Sequence, residues 1–177
     1  MFPGLRSGAL SKGQRIRLEA MIVTSKVRRF YVELRKIGED VRSVKERVEG
    51  RIGLLNDVLN RYESMLKQNV PLRDELVSRM NAIRDAISSL DRLKEEAEGV
   101  EEYVSDALRE VEVIAKMYVL DSVSGLRASD EEVLRRVERI YEETDSNVRS
   151  KLKRIEKNLA TISLPEETTI PYDTRNI

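Results

Sequence analysis

The chain contains no cysteine, no histidine and no tryptophan. Without cysteine it cannot form disulfides, use a thiolate as a nucleophile or hold zinc through sulfur. Without histidine it lacks the usual general base at neutral pH and the commonest side-chain ligand of transition metals. These absences exclude several large classes of enzyme and metal site.

Long apolar runs are missing as well. No run approaches the roughly 18 residues of a membrane-spanning helix, and the N-terminal stretch lacks the apolar region of a secretory signal peptide. We therefore expect a cytoplasmic protein, either free or peripheral at the inner face of the membrane.

Aromatic residues make up only 5% of the 177 residues, whereas 36% are charged and 40% are hydrophobic. This composition is typical of an elongated coiled coil, because its large surface needs charges and its thin core has little room for rings. The hydrophobic fraction is too high for a disordered chain. The frequent Arg and Glu residues are thermophile-like, since heat-stable proteins favour surface ion-pair networks.

The formal net charge of zero hides an uneven distribution. Residues 1–36 carry nine Lys or Arg and two acidic residues, whereas residues 95–143 carry six Lys or Arg and fifteen acidic residues. The chain thus begins basic and becomes acidic in its later half.

An unbroken heptad pattern predicts a long first helix. Apolar residues follow one another in alternating steps of four and three, which requires a helix whose apolar stripe is covered by another helix. They are Val23, Val27, Phe30, Leu34, Ile37, Val41, Val44 and Val48. After Val48 a second step of four shifts the pattern, and Gly50 and Gly53 flank the shift. We expect a bend or a close approach of another helix there.

Two sequence features mark the end of the first helix and the start of the third. Pro71 ends the first helix, because proline cannot donate the helical backbone hydrogen bond. Ser129 and Glu132 form a capping box, which begins the third helix. We predict an all-α fold with helices at about 11–69, 72–122 and 129–163.

The lengths of these helices predict their arrangement. The first two are expected to form a long antiparallel coiled-coil hairpin, and the shorter third helix packs on its base. The helical domain would span 14–163, preceded by a flexible N-terminal segment at 1–13. Two prolines and several β-branched residues predict an extended C-terminal tail at 164–177.

The densest group of carboxylates lies in the second helix, where Glu98 and Glu102 share one face. Paired carboxylates can act as acid and base or hold a metal ion. No Gly-rich loop, strand or histidine accompanies them, so a solvated helix face is the simpler reading. We expect no enzymatic activity, no metal and no cofactor.

Basic residues near the N-terminus are the strongest sign of a binding surface. Arg17, Arg28 and Arg35 lie eleven and seven residues apart, which places them near one stripe of a helix. Such a stripe can meet the phosphates of lipids or nucleic acids. Tyr31 is the one neighbouring aromatic residue free to stack on a base, because Phe30 belongs to the apolar stripe. Nucleic-acid binding is therefore the weaker reading.

A structural explanation of the same charges is also open. Folding the hairpin at residues 70 and 71 places Arg29 opposite Glu112 and Arg35 opposite Asp106. The basic residues would then pair across the hairpin, as residues that flank a coiled-coil seam do.

The chain combines a short apolar N-terminus, a basic first helix, a long hairpin, the acidic segment 95–143 and a proline-containing tail. In these features it resembles the archaeal ESCRT-III family of membrane-remodelling proteins, the CdvB-like proteins. The resemblance implies that the basic stripe and N-terminus touch anionic membrane, that the chain self-associates, and that the tail binds the MIT domain of a Vps4-type ATPase. The candidate membrane- or anion-binding residues are Phe2, Leu5, Lys12, Arg15, Arg17, Lys26, Arg28, Arg29, Arg35 and Lys36.

The candidate partner-binding residues of the tail are Leu164, Pro165, Ile170, Pro171 and Tyr172. The leading hypothesis is a non-enzymatic coiled-coil assembly protein of the membrane-remodelling or cell-division kind. The second is a soluble adaptor or chaperone-like scaffold that grips a protein partner near the hairpin turn. The third is a coiled-coil protein associated with nucleic acid. The pattern also leaves open whether the stripe closes within one chain or between two.

Overall fold

The structure is a computed structural model that describes residues 11–68, 71–124 and 129–162. It contains the helices α1 Lys12–Lys67, α2 Arg73–Ser124 and α3 Asp130–Thr161. The described ranges contain no strand, so the predicted all-α fold class is confirmed. Each helix end lies within two residues of its predicted position.

The chain divides into two compact units. Unit 1 comprises Met1–Ile37 and Tyr103–Ser146, and unit 2 comprises Gly38–Glu102 and Asn147–Ile177. Each unit therefore contains a part of all three helices.

The core of unit 1 is built from the apolar stripes that the sequence predicts. Its buried members come from all three helices, and half-buried residues such as Phe30, Ile37 and Ile140 pack at its edges. The buried cluster consists of Val23, Val27, Leu34, Val111, Ile114, Tyr118, Val133 and Val137. Burying such side chains stabilises the unit by about 1.5–3 kcal/mol each.

In unit 2, side-chain contacts define the direction of the helices. Arg42 of α1 contacts Glu101 of α2, whereas Glu63 further along α1 contacts Arg84 earlier in α2, so these two segments run antiparallel. From α3, Glu156 bonds Arg47, and the Leu159 carbonyl accepts from Arg51 at 2.6 Å. The α3 segment therefore runs parallel to its α1 neighbour.

Local sequence explains where the helices begin. The Glu132 amide donates to the Ser129 hydroxyl at 3.1 Å, so the predicted cap of α3 is present. A second capping box, which we did not predict, begins α1. The Gln14 amide donates to the Ser11 hydroxyl, and the Ser11 amide donates to the Gln14 side chain.

The shift of the heptad pattern near Gly50 leaves α1 continuous. A Cβ atom built at Gly50 or Gly53 would meet nothing within 4 Å. The expected close approach of another helix at these glycines is therefore wrong. The apolar stripe turns away from both positions, which are exposed, so no packing requires glycine there.

Candidate functional site

The candidate site lies on the α1 segment of unit 1. Its inward row, which includes Val23, Val27 and Leu34, is buried in the core. Because an α-helix turns once in 3.6 residues, the cations Lys26, Arg28, Arg29 and Arg35 fall on the other faces, and all four are exposed. We call these four residues the cationic set.

No member of the cationic set forms an ion pair with another residue in the part of the chain that the structure describes. Lys36, the next cation along α1, differs from them because it bonds Glu33 on the same helix at 2.9 Å. Four positive charges thus lie on the exposed faces of one helical segment without ion-pair partners among the described residues, which creates a positive potential around this segment.

The acidic residues that the sequence offered as partners are bonded elsewhere. The Tyr31 hydroxyl donates to Glu112 at 2.8 Å, and Arg109 pairs with Asp106 at 3.2 Å. The suggested pairs of Glu112 with Arg29 and of Asp106 with Arg35 are absent among the described residues. Glu112 therefore meets Tyr31, which lies two residues further along α1 than the suggested Arg29.

The hydrogen bond to Glu112 also raises the pKa of Tyr31 above its ordinary value, because the carboxylate stabilises the protonated phenol. Tyr31 is half-buried, and its hydroxyl is held against α2. The Phe30 ring packs on Tyr141 with centroids 5.5 Å apart. Both aromatic residues therefore take part in contacts within unit 1.

Cations of unit 2 have a different environment. Lys45 and Arg42 both bond Glu101, Arg47 bonds Glu156, and Arg154 bonds Glu96 at 2.9 Å. These ion pairs join different helices of that unit. Arg42, Lys45 and Arg47 of the α1 segment in unit 2 therefore link it to other helices, whereas no such ion pair links the cationic set of unit 1 to a described residue.

The closest pair in unit 2 shifts the titration of both groups. Lys45 donates to Glu101 at 2.6 Å, and both side chains are less than one third exposed. The hydrogen bond raises the pKa of Lys45 and lowers the pKa of Glu101. Each charged form is stabilised by its partner.

The remaining candidate residues have varied positions. Lys12 and Arg15 are exposed in the first turns of α1. Arg17 belongs to α1, but its side chain lies outside the described set. Phe2 and Leu5 also lie outside the described residues, as do all five candidate residues of the tail: Leu164, Pro165, Ile170, Pro171 and Tyr172.

Exposed apolar residues on α1 are a feature that sequence reasoning missed. Leu18, Met21 and Val32 are 48%, 69% and 43% exposed, on the side of α1 opposite the core. In the sequence they belong to a second row of residues spaced by three and four, which is less apolar than the inward row. This row is Leu18, Met21, Ser25, Arg28, Val32 and Arg35, and we call it the outer row of α1.

Several glutamates of α2 take part in ion pairs. Glu98 lies 3.9 Å from Lys94, while Glu101 and Glu96 bond cations of α1 and α3. Among the described residues, no group of three or more acidic, histidine or cysteine side chains is arranged to hold a metal ion.

The described helices include none with a stretch both long enough and apolar enough to span a membrane. We compared the chain with protein-family models, with curated proteins and with solved structures, and none of the three comparisons found a match.

Proposed function

We propose that this protein is a non-enzymatic coiled-coil assembly protein that binds anionic membrane surfaces through the cationic set of α1. The observation that carries the proposal is the exposure of Lys26, Arg28, Arg29 and Arg35 without ion-pair partners among the described residues. In the same helix, Arg42, Lys45 and Arg47 of unit 2 are bonded to acidic side chains.

The electrostatics of lipid headgroups support this function. Each Lys or Arg near an anionic membrane contributes about 1 kcal/mol of attraction, which decays within a Debye length of about 8–10 Å. The cations of this set that face the membrane therefore support reversible, salt-sensitive association. The resemblance to the archaeal ESCRT-III family supports the further proposal that the bound protein assembles and remodels the membrane.

Co-sedimentation with lipid vesicles tests the proposal. The wild-type protein is expected to pellet with vesicles that contain anionic lipid at low salt, less so at physiological salt, and not with neutral vesicles. The variant Lys26→Glu/Arg29→Glu is expected to remain in the supernatant. Removing two cations costs about 2 kcal/mol of attraction, and the introduced glutamates add repulsion.

A matched control separates local from general charge effects. Lys153 and Lys157 on α3 are also exposed, and they too have no ion pair among the described residues. Lys153→Glu/Lys157→Glu changes the net charge by the same amount and is expected to pellet as the wild type does. Equal pelleting of both variants would refute the cationic set as the membrane-binding surface. Negative-stain microscopy of the pellets would then show whether filaments or deformed vesicles are present.

The adaptor hypothesis has one specific observation in its favour. Leu72, next to the reversal between α1 and α2, has a positive φ of 73° and is 68% exposed. A leucine in this left-handed conformation is strained by about 1–2 kcal/mol, and such strain often marks a binding site. If Leu72→Gly raises stability and abolishes the capture of a protein partner while vesicle binding is unchanged, the adaptor function is supported.

A further inference from the structure

The outward side of α2 in unit 1 carries an exposed apolar row. Val113, Met117 and Leu120 are 53%, 58% and 67% exposed, and they follow one another in steps of four and three. Val113 and Met117 border a groove whose opposite wall is formed by Glu132, Val133 and Arg136 of α3. Contiguous exposed apolar residues of this kind usually mark an interaction surface.

The same row continues toward the N-terminus of α2 with acidic residues. Glu110 and Asp106 precede Val113 by three and seven residues, so they lie on the same side of the helix. Glu110 makes one ion pair with Arg136, at 3.5 Å, and remains exposed. We call Asp106, Glu110, Val113, Met117 and Leu120 the outer row of α2.

The two outer rows match when one is read backwards. From Leu18 the outer row of α1 advances by three, four and three residues, and from Leu120 the outer row of α2 retreats by the same steps. An antiparallel packing of the two rows therefore forms four successive layers, beyond which Val32 would lie opposite Asp106. The layers are Leu18 with Leu120, Met21 with Met117, Ser25 with Val113, and Arg28 with Glu110.

We infer that the outer row of α1 in one copy of this chain packs antiparallel against the outer row of α2 in a second copy. Two layers would be fully apolar, and the fourth would join an unpaired cation to an acidic side chain. Alternating steps of three and four are the spacing that lets side chains of two helices interlock. A second copy fits both the apolar positions and the charge.

The charged layer decides between the two possible directions. In the antiparallel packing, Arg28 meets Glu110 while both methionines are covered. A parallel packing that places Leu18 on Met117 and Met21 on Leu120 leaves Arg28 beyond Ser124, without an acidic partner in this row. Pairs of this type add little affinity at an exposed site, but they fix partner orientation and register.

The interface uses different surfaces on the two copies. After one contact forms, one copy keeps its outer row of α2 free and the other keeps its outer row of α1 free, so further copies can add at both ends. Such head-to-tail contacts close into rings or continue as filaments. The inference rests on the proposed assembly function and names the surfaces that would carry it.

A chain that is packed against a second copy in this way can still bind a membrane through Lys26 and Arg29. Lys26 and Arg29 border the groove between α1 and α3 beside Tyr141, to one side of the outer row. A second copy on the outer row would leave these two cations exposed to lipid phosphates. Vesicle binding and assembly can therefore be tested with different variants.

The first test addresses the apolar layers. It measures the mass of the assemblies by light scattering after size-exclusion chromatography. Wild-type protein is expected to form a series of assemblies that grow with concentration, whereas Met21→Glu and Met117→Glu are each expected to be monomeric. An equal mixture of the two variants retains one intact pair of surfaces, Met21 of one chain with Met117 of the other. The mixture is expected to form a dimer and nothing larger.

Charge exchange is the second test. Arg28→Glu and Glu110→Arg each place like charges opposite each other and are expected to weaken self-assembly by up to about tenfold. In an equal mixture every contact joins opposite charges again, so assembly is expected to recover with alternating copies.

Several results would overturn the inference. The wild-type chain could stay monomeric at its highest soluble concentration. The variant Met117→Glu could assemble as well as the wild type. The mixture of Arg28→Glu and Glu110→Arg could fail to recover assembly. Helix content by circular dichroism must match the wild type in every variant. If the wild type or Met117→Glu binds anionic vesicles in these cases, the inference alone fails and the proposed membrane function stands.

Discussion

The hydroxyl of Tyr31 on α1 donates a 2.8 Å hydrogen bond to the carboxylate of Glu112 on α2. This bond gives Glu112 a neutral partner, where the sequence had suggested Arg29. It thereby links the packing of unit 1 to the exposure of the cationic set.

Removing the Tyr31 hydroxyl has a predictable dependence on pH. The pKa of Tyr31 is raised in the folded protein, so its contribution to stability is fully present below the unfolded pKa of about 10 and is lost as the pH rises through the folded value. Tyr31→Phe is expected to lower the free energy of unfolding by about 1 kcal/mol at neutral pH. The difference from the wild type should shrink in strongly alkaline solution. Urea unfolding at several pH values measures it, and a constant difference would refute this account.

Glu101 is expected to stabilise the folded protein at neutral and higher pH and to lose this effect in acid. Its pKa is lowered by Lys45, so the contribution is present above the ordinary value of 4.5 and is lost as the pH falls through the folded value. Glu101→Gln should cost up to about 1 kcal/mol at neutral pH, because the pair is partly exposed. Lys45→Met removes the other partner of the pair and should abolish the same pH-dependent contribution. If Glu101→Gln unfolds in acid with the same pH dependence as the wild type, the pair does not act in this way.

Alanine at the two glycines of the heptad shift is expected to stabilise the protein. Gly50 and Gly53 lie inside α1, and an added Cβ meets nothing within 4 Å at either position. Each substitution should raise the free energy of unfolding by about 1 kcal/mol, because alanine restricts the unfolded chain and favours helix. The midpoint of urea unfolding reports the change. A loss of stability would mean that α1 needs glycine at this point.

Thr144 is expected to be a weak point of the core in unit 1. It is only 2% exposed, and no described residue forms a hydrogen bond with its hydroxyl. Thr144→Val replaces the hydroxyl with a methyl of similar size and should raise the unfolding free energy by about 1–3 kcal/mol. Thr144→Ser keeps the hydroxyl, loses the methyl and should lower it. Greater stability of the serine variant than of the valine variant would contradict this assignment.

The sequence predicted the helices well because their signals are local. Pro71 removes a backbone donor, Ser129 caps the helix that follows it, and apolar residues recur every three or four positions, so each signal acts within a few residues. The register between helices was predicted less well. It depends on how many residues the reversal uses, and the left-handed conformation of Leu72 is not evident from the residue type.

The sequence by itself therefore determined the all-α class, the three helices and the apolar rows, since backbone hydrogen bonding and hydrophobic burial follow residue spacing. Only the tertiary structure decided which charges are neutralised. Arg47 and Arg28 are the same residue type on the same helix, but of these two only Arg47 bonds a carboxylate among the described residues. Pairing between helices depends on register and on side-chain reach across the interface, and neither is encoded in the spacing of one helix.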